Sequence, residues 1–394
     1  MRRVAAVSCL LFGSLVVPGA LAHEPKPVEP EARVICCEVG VRPVIDVALL
    51  LDTSNSMDGL IHQAKSQLWT IVQRFARAEK HGQPPRLRVA LFQYGNTALP
   101  AAEGYIQQVV PLTDNLDELS AALFKLTTSG GDEYCGRVID EALTRLDWSG
   151  SPGAYKAIFI AGNEPFTQGS VDYRDACARA IQRGVVVNTI HCGDYAAGIQ
   201  GDWAAGAKLA EGDYLNIDQD RAVVHIDCPQ DAEILKLNEQ LNRTYLWFGS
   251  AERRERLGEA QLEQDAAAYA LAPATAVARA SSKASPVYAN AGRDLVDTVA
   301  AEPVPAEALA AIADEELPDA LRDLSAEQRV AKVAELAAER TALQQRVAEL
   351  SEARDAFLIE ARKAQAEEGQ ATLGDAILTA VDRQLAEAGF GTDE

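Results

Sequence analysis

The chain has 394 residues, 48% of them hydrophobic and 24% charged, with 58 acidic against 37 basic side chains and a formal net charge of −21 at pH 7. That length exceeds one average domain and leaves ample apolar material for a folded core. The acid excess runs along the whole chain, with 28 acidic against 15 basic residues in 251–394 alone. Such a field repels phosphate backbones and anionic lipid, which excludes nucleic acid and membrane surfaces as natural partners and favours cations.

The chain opens Met1-Arg2-Arg3, runs through an apolar stretch from Val4 to Val17, and reaches Ala20-Leu21-Ala22 before His23-Glu24-Pro25. A basic start, a short apolar core and an Ala-x-Ala end describe a cleavable export signal over residues 1–22. The apolar run is shorter than the roughly 20 residues a membrane-spanning helix needs. The expected mature protein therefore starts at His23 and is exported, periplasmic or extracellular, with no membrane insertion after cleavage. Residues 23–39 begin as a Pro/Glu-rich stretch that cannot bury apolar area and read as a flexible leader. Export removes Cys9 and leaves Cys36, Cys37, Cys135, Cys177, Cys192 and Cys228 in an oxidising compartment that permits disulfides. Cys135, Cys177 and Cys192 all fall near predicted strand carboxyl ends, so at least one bond is expected there.

Residues 44–57 read Val-Ile-Asp-Val-Ala-Leu-Leu-Leu-Asp-Thr-Ser-Asn-Ser-Met. A strand this apolar on both faces belongs in the middle of a parallel sheet covered by helices. It breaks into Asp52-x-Ser54-x-Ser56 at its carboxyl end, where open α/β sheets keep their ligand sites. One carboxylate and two hydroxyls in a tight loop can turn three hard oxygens toward one point, which suits Mg²⁺ or a similar cation. Strand and loop together resemble the von Willebrand factor A (VWA) domain with its metal-ion-dependent adhesion site.

Further along, the apolar runs Leu87–Tyr94, Tyr105–Leu112, Ala157–Ala161, Val185–Ile190 and Tyr214–Ile217 read as strands. Helical patterns over Gly59–Lys80, Asn115–Leu126, Gly136–Leu146, Tyr173–Arg183 and Trp203–Ala210 separate most of them; Leu116, Leu119, Leu123 and Leu126 show the spacing of one buried helix face. These crossovers predict a doubly wound, mostly parallel α/β sheet over residues 40–230. The short link between Leu87–Tyr94 and Tyr105–Leu112 predicts a hairpin with one antiparallel edge strand, as VWA domains have.

Three more segments land on the same sheet edge as Asp52. In Thr127-Thr128-Ser129-Gly130-Gly131-Asp132-Glu133, Glu133 takes the position where the family usually has a threonine, with Asp132 beside it. Some relatives place acids there, so the resemblance makes both candidate metal ligands; alternatively they are charges favoured at a helix N-terminus, where each is worth roughly 0.3–1 kcal/mol. In Ile158-Phe-Ile-Ala-Gly-Asn163-Glu164, Asn163 takes the place of the family's aspartate and offers a carbonyl oxygen without charge, with Glu164 as partial compensation. His191 and Cys192 are neighbours on a strand and point to opposite faces, so they do not form a nucleophile–base pair. The P-loop, Gly-x-Gly-x-x-Gly, His-Glu-x-x-His and Gly-x-Ser-x-Gly signatures are absent from the sequence.

After about residue 250 the chain turns Ala- and Glu-rich. Residues 231–320 read as a helical linker region and 321–394 as a helical extension, similar to the tail of some bacterial secreted proteins of the same family. Val333, Leu336, Leu343, Val347, Leu350 and Phe357 keep heptad spacing, interrupted by Arg340 and Arg354 on the same seam. Two arrangements fit: a coiled coil that joins copies of the chain, or a helical hairpin folded back on its own chain with those arginines at its edge. Leu373, Ile377, Val381 and Leu385 mark a last amphipathic helix. The resemblance implies a non-enzymatic, exported binding module. It would hold Mg²⁺, Mn²⁺ or Ca²⁺ weakly and capture a protein partner that offers a carboxylate. A structural envelope protein with a degenerate site is the alternative.

Overall fold

The first strand is buried on both sides, as its composition requires: from Ile45 to Leu51 every residue lies out of solvent. Asp46 sits within that run because Arg88 grips both its oxygens, at 2.8 and 2.7 Å, and the Ser149 amide donates to it. The computed structural model describes residues 42–217, 226–288, 290–300, 305–367 and 373–392. The expected export signal, the leader, Cys36 and Cys37 lie outside them.

In chain order the α/β part comprises β1 (Val44–Asp52), α1 (Ile61–Ala76), β2 (Ala78–Glu79), β3 (Arg86–Tyr94), β4 (Ile106–Thr113), α2 (Leu116–Lys125), α3 (Cys135–Arg145), β5 (Tyr155–Gly162), α4 (Tyr173–Gln182), β6 (Val186–Cys192), α5 (Tyr195–Gln200), α6 (Trp203–Leu209) and β7 (Tyr214–Ile217). The helical part follows with α7 (Asp231–Asn242), α8 (Ala251–Leu271), α9 (Pro273–Ala284), α10 (Leu295–Ala300), α11 (Pro305–Ala310), α12 (Asp319–Arg322), α13 (Ala326–Glu367) and α14 (Leu373–Glu387), and β8 (Gly391–Thr392) pairs with β2.

The main sheet has the order β4-β3-β1-β5-β6-β7. All its pairings are parallel except β3–β4, the antiparallel edge expected from the short link. Alternation along β1 splits the core. Ile45, Val47, Leu49 and Leu51 face α1 and α2, while Ala48 and Leu50 face α3, α4 and α6.

The chain's end returns to this core. Ile377, Val381 and Leu385 of α14 are fully buried with α1 on the same sheet face. Tyr155 Oη donates to Gln384 at 2.6 Å, and Gln384 in turn donates to Asn188. Most of the heptad seam of α13 is filled within the chain: Val333 and Leu336 pack with α10 to α12, and Val347 and Leu350 with α7 and α9, whereas Phe357 stays exposed. This is the folded-back arrangement. Both arginines of the seam depart from the expected exposed edge: Arg354 is largely covered and bonded to Asp231 at 2.6 Å, and Arg340 does not reach solvent. It is buried, bonded to Asp294 and Asp297 at 2.6 Å each, and stacked 4.2 Å over Tyr245. Partners more than 40 residues distant turn an interruption of the seam into a neutralised internal contact.

The expected disulfide is corrected. Among the described residues Cys135, Cys177 and Cys192 are free and buried. Cys135 and Cys177 lie on one face of the sheet and Cys192 on the other, so the sheet separates Cys192 from the other two.

Candidate metal centre

The site forms where β1 stops. Asp52 is fully buried, and its Oδ1 accepts the Ser54 amide at 2.8 Å, which turns the chain out of the strand. The turn is pinned to the neighbouring strand by Thr53, whose amide donates to the Tyr94 carbonyl at 2.9 Å. Ser54 and Ser56, two apart, then meet hydroxyl to hydroxyl at 2.8 Å. The Ser56 hydroxyl donates to Asn163 Oδ1 at 3.0 Å, and Asn163 Nδ2 returns a bond to the Ser56 carbonyl at 3.2 Å. Asn163 follows the end of β5, beside β1, so parallel register brings it there.

The third wall is the loop before α3. Glu133 is 5% exposed, whereas its neighbour Asp132 stays at the surface, where Tyr134 donates to it at 3.0 Å. The structure therefore gathers Asp52, Ser54, Ser56, Glu133 and Asn163, and leaves Asp132 outside. The fourth wall is Gly95, after β3. A Cβ there would stand 2.8 Å from Asp52 Oδ1 and 2.9 Å from Glu133 Cγ, and φ is +75°. Only glycine fits. Gly162 is equally tight, with Tyr94 Oη and Asp52 on its open side. Sequence reasoning missed Tyr94, Gly95 and Gly162. The available signal was position, since Tyr94 pairs with Asp52 in register at the carboxyl end of the adjacent strand.

Burial pushes Asp52 up to about 7, only partly offset by the Ser54 amide, and Glu164 adds repulsion. Glu133 also rises to about 7, through burial first and then through the charges of Asp52 and Glu164. Asp52 Oδ2 is buried without any hydrogen-bond partner. Two carboxyls that repel one another, one with an orphaned oxygen, are destabilised as anions and relieved by a positive charge. Among the described residues no group of three or more His, Cys, Asp or Glu is arranged around a point. A cation here must draw on hydroxyl and amide oxygens as well. All five donors are hard oxygens, which fits Mg²⁺, Mn²⁺ or Ca²⁺ and not a soft metal.

His191 and Cys192 are separated as expected. His191 packs on Trp203 with Nε2 3.3 Å from the Asn163 carbonyl, and burial lowers its pKa, while Cys192 enters the opposite core.

Residues 46–202 match the family model of the von Willebrand factor type A domain. None of the curated proteins compared with the chain matches it. Among solved structures, the chain is similar to proximal thread matrix protein 1 from the mussel byssus with a zinc-occupied MIDAS motif, at 16% identity and a TM-score of 0.35 over 46% of this chain and 43% of that one. It is similar to the conserved hypothetical protein BatB from Bacteroides thetaiotaomicron, at 14% identity and a TM-score of 0.34, over 56% of this chain and 98% of that one. The SpRpn10 VWA domain gives 17% identity and a TM-score of 0.35, over 45% and 89%. The chain spans less than half the length of the mussel protein.

Proposed function

We propose that this chain is an exported, non-enzymatic protein-binding module that holds a divalent cation weakly and uses it to capture a partner's carboxylate. The observation that carries the reading is the buried Asp52 Oδ2 without a protein partner, beside a second carboxyl whose pKa is raised by the first. Asp52, Ser54, Ser56, Glu133 and Asn163 would hold the ion. When bound, it supplies an open coordination position that an Asp or Glu side chain of a protein partner can fill. The serine hydroxyls and the Asn163 amide hydrogen-bond one another and so orient the loop's oxygens.

The same donors explain why the ion is held weakly. Asn163 contributes no charge, and the full negative charge of the site requires both Asp52 and Glu133 to lose protons that burial favours. Mg²⁺ affinity is therefore expected in the high-micromolar to millimolar range, on the order of extracellular oxygen-ligand sites. Asn163→Asp should tighten it, and Glu133→Ala should weaken it several-fold, read as the Mg²⁺ dependence of thermal unfolding. A Glu133→Ala chain stabilised by Mg²⁺ like the wild type would return Glu133 to the role of a helix-end charge.

A further inference from the structure

Away from the sheet edge, α7, α8 and α9 enclose ionisable and amide side chains that the metal site does not use. Lys283, in the last turn of α9, is fully buried. Its Nζ touches Oδ1 of Asn242, the last residue of α7, and lies 3.0 Å from Asp265 Oδ2. That same carboxylate oxygen accepts from Asn242 Nδ2 at 2.7 Å. The amide orientation follows from these neighbours, since the reverse would set an amide oxygen against a carboxylate. Arg279 anchors the other oxygen of Asp265 at 2.6 Å and holds the carboxyl well below the usual range, together with Lys283. Asn238 Nδ2 donates to the same oxygen at 2.9 Å, so one fixed carboxylate oxygen stands within reach of an amine and two amide nitrogens, of which only Asn242 also meets Lys283 Nζ through its carbonyl oxygen.

We propose that Lys283, Asn242 and Asp265 form an intramolecular isopeptide bond between Lys283 Nζ and Asn242 Cγ, with Asp265 as proton relay and ammonia as leaving group. The neutral Lys283 amine attacks Cγ, and the carbonyl π electrons move onto Oδ1. The new N–C bond makes the attacking nitrogen acidic, and Asp265 Oδ2 passes one of its protons to Nδ2. As the electrons return from Oδ1, the Cγ–Nδ2 bond breaks, ammonia departs and a secondary amide remains. No oxidant, cofactor or metal enters the balance.

Two surroundings favour this chemistry. Burial pulls the Lys283 amine down to about 8, so a usable fraction is the neutral nucleophile at neutral pH. A cavity of about 240 Å³, lined by Asn238, Asn242, Asp265, Tyr269 and Arg279, opens beside the amide and gives ammonia a way out.

The test is tryptic peptide mapping with tandem mass spectrometry of the full-length purified wild type. The expected product is a branched peptide of Leu237–Arg243 joined to Ala280–Arg293, lighter by one ammonia, with no cleavage after Lys283. Lys283→Arg and Asp265→Asn should each abolish the branched species. A wild type that is cleaved at Lys283 and yields Leu237–Arg243 unmodified overturns the proposal without recourse to any variant. A branched species that survives Asp265→Asn overturns the relay.

Discussion

Deletion of residues 373–394 is expected to leave a chain that no longer unfolds in one cooperative transition. The deletion removes Ile377, Val381, Leu385 and Phe390 from the main core, each at most 3% exposed. At about 2 kcal/mol for each buried side chain the loss is roughly 8 kcal/mol. The whole stability of a domain is about 5–15 kcal/mol. The deletion also strips Gln384 from Tyr155 and Asn188, which leaves polar groups of the sheet unpaired. Urea unfolding followed by circular dichroism reads the effect directly. A truncated chain with the wild-type midpoint would show that the last helix is an accessory and not part of the α/β core.

Asp52→Asn is expected to stabilise the metal-free protein progressively as pH rises from about 4 to about 7. The folded Asp52 keeps its proton up to about 7, whereas the unfolded chain releases it near 3.8. Between those values the folded state binds more protons, so its stability is complete below the lower value and is lost as pH rises through the upper one. Asparagine resembles the protonated acid and does not titrate. It retains the oxygen that accepts the Ser54 amide, so the variant escapes the loss. In the presence of a chelator the difference between the two proteins should grow by on the order of 2–4 kcal/mol from pH 4 to pH 8. Equal pH profiles would mean that Asp52 is solvated and charged throughout. With saturating Mg²⁺ the sign should reverse at pH 8, because only the aspartate gains from the ion.

The sheet was legible because its signals are local. The unbroken apolar run at Val44–Leu51 announces a strand buried on both faces, and the ten-residue link before Tyr105 allows only a hairpin to the edge. Half of the site was legible for the same reason, since Asp52, Ser54 and Ser56 occupy one loop. The other half depends on which strands are neighbours. Gly95 and Gly162 matter because β3 and β5 flank β1, and nothing within five residues of either says so. Glu133 and Asp132 look alike in sequence, yet only one is turned inward. Arg340 reads as a fault in a coiled-coil seam until Asp294, Asp297 and Tyr245 arrive from other segments. The last helix carries a plain amphipathic pattern, but the pattern does not name the surface it covers. The tryptic map for the Lys283–Asn242 bond belongs to the same class, because that contact joins residues 41 apart.

Metal binding at Asp52 is tested most simply by calorimetric titration of Mg²⁺ into the wild type and Asp52→Ala at pH 8, above the raised values of the site carboxyls. Saturable wild-type binding is expected, with a Kd in the high-micromolar to millimolar range, on the order of extracellular oxygen-ligand sites. Asp52→Ala should give no detectable heat of binding under the same conditions. Equal binding by the two proteins, or none by the wild type, would contradict metal binding at Asp52 and leave the domain a scaffold without a metal-dependent function.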